Sequence, residues 1–281
     1  HEAPTLTLET AKPGKGAASG GGDAGKRQVV RVNLDLLDRL MSLAGELVLV
    51  RNRQLQLLDG ADDGVSRKLV NQLNAVTNDL QDAVMRTRMQ QVGAAFAKLP
   101  RIVRDLSQKL GKEIELTTTG NETELDKTIL EALADPLTHL IRNACDHGVE
   151  TPQVRQAAGK PALGHIEVAA QHEAGQIVIE IRDDGGGINP EKVGAKAVER
   201  GLKQAHEIEA MSERELVSLI MMPGFSTAEA LSDVSGRGVG MDVVKSSIEA
   251  LGGTIGVESV RGEGSLFRMR LPLTLAIISS L

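Results

Sequence analysis

Residues 135–150 read Asp-Pro-Leu-Thr-His-Leu-Ile-Arg-Asn-Ala-Cys-Asp-His-Gly-Val-Glu, and in them His139, Asn143, Asp146 and His147 stand at i, i+4, i+7 and i+8. On a helix that spacing gathers the four polar side chains on one face, while Leu137, Leu140, Ile141 and Ala144 supply apolar contacts to the remaining surface. The stretch therefore reads as a site and not as a solvated stripe. Two imidazoles, an amide and a carboxylate beside a buried core can coordinate a metal-bound phosphate chain and hold a base next to it.

Glycine-rich segments downstream agree. A strand pattern over 177–181 runs directly into Asp183-Asp184-Gly185-Gly186-Gly187. Missing Cβ atoms at Gly185 and Gly187 let a flat ring approach the backbone, and the Asp183 carboxylate suits an exocyclic amine, as an adenine reader would. Pro223-Gly224-Phe225-Ser226 follows, then Gly236, Gly238 and Gly240 run into a helical pattern over 241–251. Backbone N–H groups at such a helix start are donors for phosphate oxygens. The last segment, Gly262-Glu263-Gly264-Ser265-Leu266-Phe267, turns into a final strand, with Ser265 at its start. No Gly-Lys-Ser or Gly-Lys-Thr closes the loop at 236–240, so this is not a Walker-type phosphate loop.

Taken in order, His-x-x-x-Asn-x-x-Asp-His-Gly, Asp-Asp-Gly-x-Gly-Ile, Gly-Phe-Ser, Gly-Arg-Gly-Val-Gly-Met-Asp-Val-Val and Glu-Gly-x-Leu-Phe form a specific set. The set resembles the ATP-binding domain shared by histidine kinases, gyrase-like ATPases and related proteins. His139 where others have glutamate, the Asp146-His147 pair and the wording of 236–244 look like the chemotaxis histidine kinases of the CheA type. The resemblance covers roughly residues 30–281, with its motifs between 135 and 272.

Composition narrows the classes further. A net charge of −6 argues against a nucleic-acid surface, and with no Trp or Tyr and three Phe the chain lacks stacking platforms for single strands. The single cysteine, Cys145, excludes an internal disulfide framework and reads as a small buried apolar residue. No run of 18 apolar residues and no signal-like start occur, so direct membrane insertion is not expected and a cytoplasmic location is.

The expected fold is α+β, an antiparallel helical hairpin followed by an α/β sandwich of the histidine-kinase, gyrase and Hsp90 type. Residues 1–30 are rich in glycine and read as a flexible linker. A helix is expected from an Asn33 N-cap, with seams Leu36, Leu40, Leu43, Leu47, Val50 and Leu37, Met41, Ala44, Val48. After a turn at 59–64, Leu69, Leu73, Val76, Leu80, Ala83 and Thr87 repeat the heptad spacing. Two such helices leave one side of each bare as an isolated hairpin, so residues 31–90 are expected to form a homodimeric four-helix bundle. The resemblance points the same way.

Residues 91–275 are expected to form the catalytic domain. Val92 to Leu110 reads as an amphipathic stretch broken or kinked by Pro100 and stopped by Gly111. Strands are expected near 113–118, 164–171, 175–182, 253–259 and 265–272, with a hairpin at 172–175. Helices are expected near 126–147, 190–200, 212–221 and 241–251, the third opened by a Ser212/Glu215 capping box. Hairpin connections suggest a largely antiparallel sheet covered on one face, and the long segment 188–235 suggests a lid over the nucleotide. Gln91 leaves open whether the second hairpin helix runs on into this domain.

The resemblance assigns roles. Lacking a phosphate-loop lysine, the site needs Mg2+ to carry much of the charge of ATP, and Asn143 offers the amide oxygen that coordinates the cation in the family. Asp146 and His147 support the nucleotide site. His139 replaces the water-activating glutamate of gyrase-like relatives; a neutral imidazole there can take a proton from an attacking nucleophile, which makes it the expected general base for phosphorylating an acceptor histidine. None of the six histidines, at 1, 139, 147, 165, 172 and 206, lies on the hairpin, and 165, 172 and 206 read as surface or loop residues. The acceptor is therefore expected in a separate phosphoacceptor domain, with the chain beginning after it. Residues 276–281 are expected to begin a linker into a regulatory domain serving a coupling adaptor and chemoreceptors, and a response regulator completes the expected partners. Arg86 and Arg88 read as a charged helix end. The competing readings are an ATP-driven conformational clamp that hydrolyses ATP, and a scaffold with a degenerate nucleotide site; His139 and the heptad hairpin disfavour the first, the intact glycines and Asn143 the second.

Overall fold

The computed structural model describes residues 34–58, 64–225 and 240–273. The expected cap Asn33, the turn at 59–63, the glycines Gly236 and Gly238 and the two chain ends lie outside the described residues.

Helices α1 (Leu34–Leu58) and α2 (Gly64–Arg86) pack together as the hairpin the heptads predict. Ala44, Thr77 and Val84 are buried between them, and the Arg51 guanidinium donates to Asn78 Oδ1 at 2.9 Å across the pair. The other seam faces outward: Leu43 is 52% exposed, Val50 56%, Val76 58% and Leu80 45%. Helix α2 stops at Arg86 and does not run on. A turn leads to the short strand β1 (Met89–Gln91), where Arg88 reaches Asp126 at 3.4 Å and Thr128 at 2.6 Å.

Next come α3 (Gly93–Phe96) and α4 (Leu99–Leu110). The expected amphipathic stretch is thus split, and Pro100 sits in the first turn of α4, where its missing N–H costs nothing. Gly111 ends α4 as expected. Strand β2 (Ile114–Thr119) is followed by β3 (Glu124–Asp126), which pairs with β1 as a separate ribbon, and by α5 (Lys127–Asn143), capped by the Asp126 carboxylate accepting from Thr128 N at 2.8 Å. A short α6 (Pro152–Ala157) precedes the hairpin of β4 (Gly164–Glu173) and β5 (Gln176–Asp183), which turns at Ala174 and Gly175. Helices α7 (Pro190–Glu199), α8 (Ala205–Glu209) and α9 (Glu213–Ser218) come next, and the Ser212/Glu215 capping box opens α9. The chain closes with α10 (Met241–Ala250), β6 (Thr254–Val260) and β7 (Gly264–Pro272).

The main sheet has the order β2-β4-β5-β7-β6. It is largely antiparallel, as expected, with one exception that makes it mixed: β2 runs parallel to β4, with Ile114 opposite Gly164. Parallel neighbours need a crossover, and the connection from β2 to β4 carries α5 across one face of the sheet. That single fact places the helix of residues 139 and 143. Ile166, Val168, Ile179, Ile181, Phe267 and Met269 are buried, as are Leu133, Leu137, Leu140 and Ile141 of α5, in one continuous core. Each fully buried Ile or Leu contributes roughly 1.5–3 kcal/mol relative to exposure. Polar residues of alternate register lie on the sheet's other face, where Arg268 bridges Glu180 at 2.6 Å and Glu258 at 3.3 Å. Helix α7, α9 and the turn after it close a second small core around Val193, Ala197, Leu219 and Phe225, with Lys196 and Arg200 about the Phe225 ring at 5.6 and 5.9 Å.

Candidate functional site

Regular α-helix ends at Asn143, and residues Ala144–Gly148 form one wider π-turn. The expected single helix to 147 is corrected here, and the i+7 and i+8 spacing no longer governs Asp146 and His147. Lys112 fixes the widened turn from behind, its Nζ donating to the carbonyls of Cys145 at 2.6 Å and Asp146 at 2.8 Å. Burial lowers the Lys112 pKa, and the charge of Asp146 opposes that shift. Cys145 is fully buried and its thiol is pushed up to about 12, chiefly by burial, which leaves it unreactive.

His139 lies half-buried on α5. Burial lowers its pKa from the ordinary 6.5, and the neighbouring charges of Arg142 and His147 lower it further. The imidazole is therefore neutral near pH 7, the form a base needs. One turn on, Asn143 Nδ2 donates to Met241 Sδ at 3.1 Å. That contact turns the amide's donor toward α10. It also brings the first residue of α10, preceded by its buried N-cap Gly240, against the end of α5.

Asp183 ends β5 with only 4% exposure. Its pKa is raised to about 6, first by burial, while backbone N–H groups of Gly185 and Ser265 pull it back and the charges of Asp184 and Glu150 push it up. The Gly185 N–H reaches Asp183 Oδ1 at 3.0 Å. A buried carboxylate in this setting is a strong acceptor for an amine donor. Gly148 lies against it, since a Cβ there would stand 3.0 Å from Asp183 Cγ. The loop glycines meet the protein's own backbone: a Cβ on Gly185 would fall 2.0 Å from the Gly148 carbonyl oxygen, and one on Gly187 2.3 Å from that of Val260. Gly186 N donates to Gly148 O at 2.9 Å and Gly262 N to Gly186 O at 2.8 Å, so the loop is stitched to the π-turn and to the β6–β7 turn. Ser265 pairs with Asp183 across β5 and β7, and its hydroxyl lies 3.1 Å from that of Ser259.

The structure thus sets His139 near His147, Asn143 against the start of α10 after Gly240, and Asp183 beside Gly148, Gly185 and Ser265, with Asp146 on the π-turn and Gly187 against Val260. His165, His172 and His206 are all exposed, as expected; the first two lie on β4, with His165 3.2 Å from Glu115. Sequence reading missed Arg155, Lys160 and Glu150, which form an ion-pair knot behind the Asp183 loop. A lone arginine in a short helix after the site helix carries no periodic signal; only its 1% exposure marks it. Among the described residues no three His, Cys, Asp or Glu side chains form a metal cage, and no helix is long and apolar enough to cross a membrane.

Residues 132–275 match the family described as histidine kinase-, DNA gyrase B- and HSP90-like ATPase, and residues 27–87 match the homodimeric domain of signal transducing histidine kinases. The chain belongs to this ATPase family and carries a dimerisation domain ahead of it. Within the family it is similar to the sensor histidine kinase CheAY of Helicobacter pylori, with 50% identity over 92% of this chain and 33% of that protein. It is also similar to the chemotaxis protein CheA of Bacillus subtilis, 44% identical over 96% of this chain and 40% of that one, and to that of Klebsiella aerogenes, 47% identical over 90% and 39%. The chain thus spans about a third to two fifths of the length of these relatives. The core is of the CheA type, and its hairpin is of the homodimeric kind found in signal transducing histidine kinases.

Proposed function

We propose that this chain binds Mg-ATP and transfers the γ-phosphate to a histidine of a separate phosphoacceptor domain, as the core of a chemotaxis-type histidine kinase. In this reading residues 31–90 supply the dimer interface and residues 91–275 the catalytic domain. The observation that carries it is His139: a half-buried imidazole, kept neutral, four residues before Asn143 where a hydrolytic relative would place a carboxylate.

Asp183 accepts the adenine amine, while Gly185 and Gly187, packed on the backbone of Gly148 and Val260, hold the loop that carries it. The amide oxygen of Asn143, oriented by the bond of Nδ2 to Met241 Sδ, ligates the cation. The donor set fits magnesium, which is held by a few protein oxygens together with phosphate oxygens and water. Bound there, the ion neutralises phosphate charge. The start of α10 with Gly240 presents N–H groups to phosphate oxygens. Asp146 and His147 flank the phosphates, and Ser265 braces Asp183. His139 takes the proton from the attacking imidazole as the phosphorus–nitrogen bond forms. A response regulator, a coupling adaptor and chemoreceptors are the partners proposed for the full-length protein, and the cytoplasm its location.

Incubation with γ-labelled ATP and a separately supplied acceptor-histidine domain tests this. Label on a histidine of that domain supports the reading. Label released only as free phosphate favours an ATP-hydrolysing clamp, and no turnover a degenerate site.

A further inference from the structure

We propose that Arg155 is a positioning residue for nucleobase selection, acting through Asp184 and the loop that carries Asp183; this rests on Asp183 being the adenine reader. Arg155 is 1% exposed, and three of its guanidinium bonds go to Asp184. Nη1 donates to Asp184 O at 3.1 Å and Oδ1 at 3.1 Å, and Nη2 to Asp184 Oδ2 at 2.8 Å, a two-pronged grip on one residue. Nε and Nη2 also hold the carbonyls of Pro161 at 2.8 Å and Leu163 at 3.2 Å, which fixes the guanidinium plane.

Lys160 completes the clamp, its Nζ donating to Asp184 O at 2.9 Å and Gly185 O at 2.7 Å. Glu150 sits between the cations, 3.2 Å from Arg155 and 3.3 Å from Lys160. The Asp184 carboxylate also accepts from His165 N at 2.9 Å. Both carbonyls that follow Asp183 are therefore held by cations from behind, and the next N–H, that of Gly185, is the one that holds Asp183 Oδ1. A rotation of the 184–185 peptide would break that bond and turn the carboxylate. A lysine at 155 keeps the charge but loses the fork. The same cations balance Asp184 and Glu150, whose charges otherwise act on Asp183.

A structural role alone would lower stability and weaken all nucleotides alike. Selection predicts a change in a ratio, the dissociation constant for purine riboside triphosphate, which lacks the 6-amino group, over that for ATP. Calorimetry with the full chain and magnesium would measure it for wild type, Arg155→Lys, Glu150→Gln and Asp183→Ala. The expectation is a wild-type preference for ATP of tenfold or more, abolished in D183A and reduced about threefold in R155K, with E150Q between R155K and wild type; a charge-assisted hydrogen bond supports a total factor of that size. A D183A ratio equal to wild type would remove the adenine reading itself. A D183A collapse with R155K and E150Q both at the wild-type ratio would overturn the role of Arg155 alone. Should R155K not fold, E150Q decides by the same criterion.

Discussion

Gly148 stands directly behind the Asp183 carboxylate, so close that a methyl group at 148 would meet Cγ and Oδ1 at 3.0 Å. The end of the π-turn is thus the floor on which the buried acid rests. Gly148→Ala should push the carboxylate off the N–H groups of Gly185 and Ser265. Overpacking of this kind costs about 1–3 kcal/mol. ATP affinity measured by calorimetry should fall by about tenfold, alongside a lower melting temperature of the unliganded protein.

Asp183 also sets a pH dependence. Its folded pKa, about 6, lies above the ordinary 3.8, so between those values the native state holds more protons than the unfolded chain. Stability should therefore decline as pH rises from about 4 to about 6 and level off above, by up to roughly 3 kcal/mol on the linkage relation. Asp183→Asn should flatten that slope and raise the melting temperature at pH 7. A melting series of the two proteins across pH 4–8 measures it directly.

His139 titrates below its ordinary value because it is buried and faces Arg142 and His147. Phosphotransfer to an added acceptor domain should accordingly lose rate on the acid side at a lower pH than an ordinary imidazole base would give. His139→Gln should lower kcat by about 10²–10⁴ and leave KM for ATP within about twofold, since general-base catalysis has that range. An unchanged kcat would remove the base assignment.

The outward seam of the hairpin has its own test. Leu43 and Val76 are more than half exposed in the single chain, a placement that fits a partner hairpin. Leu43→Asp with Val76→Asp should convert the dimer to a monomer in sedimentation, without a change in ATP affinity. Burial of an unpaired charge in a bundle interface is the physical reason.

Local patterning carried most of the fold. All five strands of the main sheet and the helices α5, α7, α9 and α10 begin or end within a few residues of their expected positions, because alternation, caps and glycine stops are local signals. The parallel pairing of β2 with β4 was not legible, since it depends on which way α5 crosses the sheet, a long-range choice. The π-turn was hidden because Ala-Cys-Asp-His-Gly continues the helical pattern; the Lys112 bonds that hold it come from 33 and 34 residues away. At the site, His139, Asn143 and Asp183 stood out by chemistry. Arg155 did not, because a buried cation is recognised only by its partners. The loop glycines were readable as glycines, while their tight contacts with Gly148 and Val260 needed the fold.

A structure of the chain with magnesium and a non-hydrolysable ATP analogue addresses the nucleotide site most directly. The adenine amine should lie within hydrogen-bond distance of the Asp183 carboxylate, with the cation on the Asn143 amide oxygen. An analogue bound with both side chains turned away from it would contradict the kinase site described above.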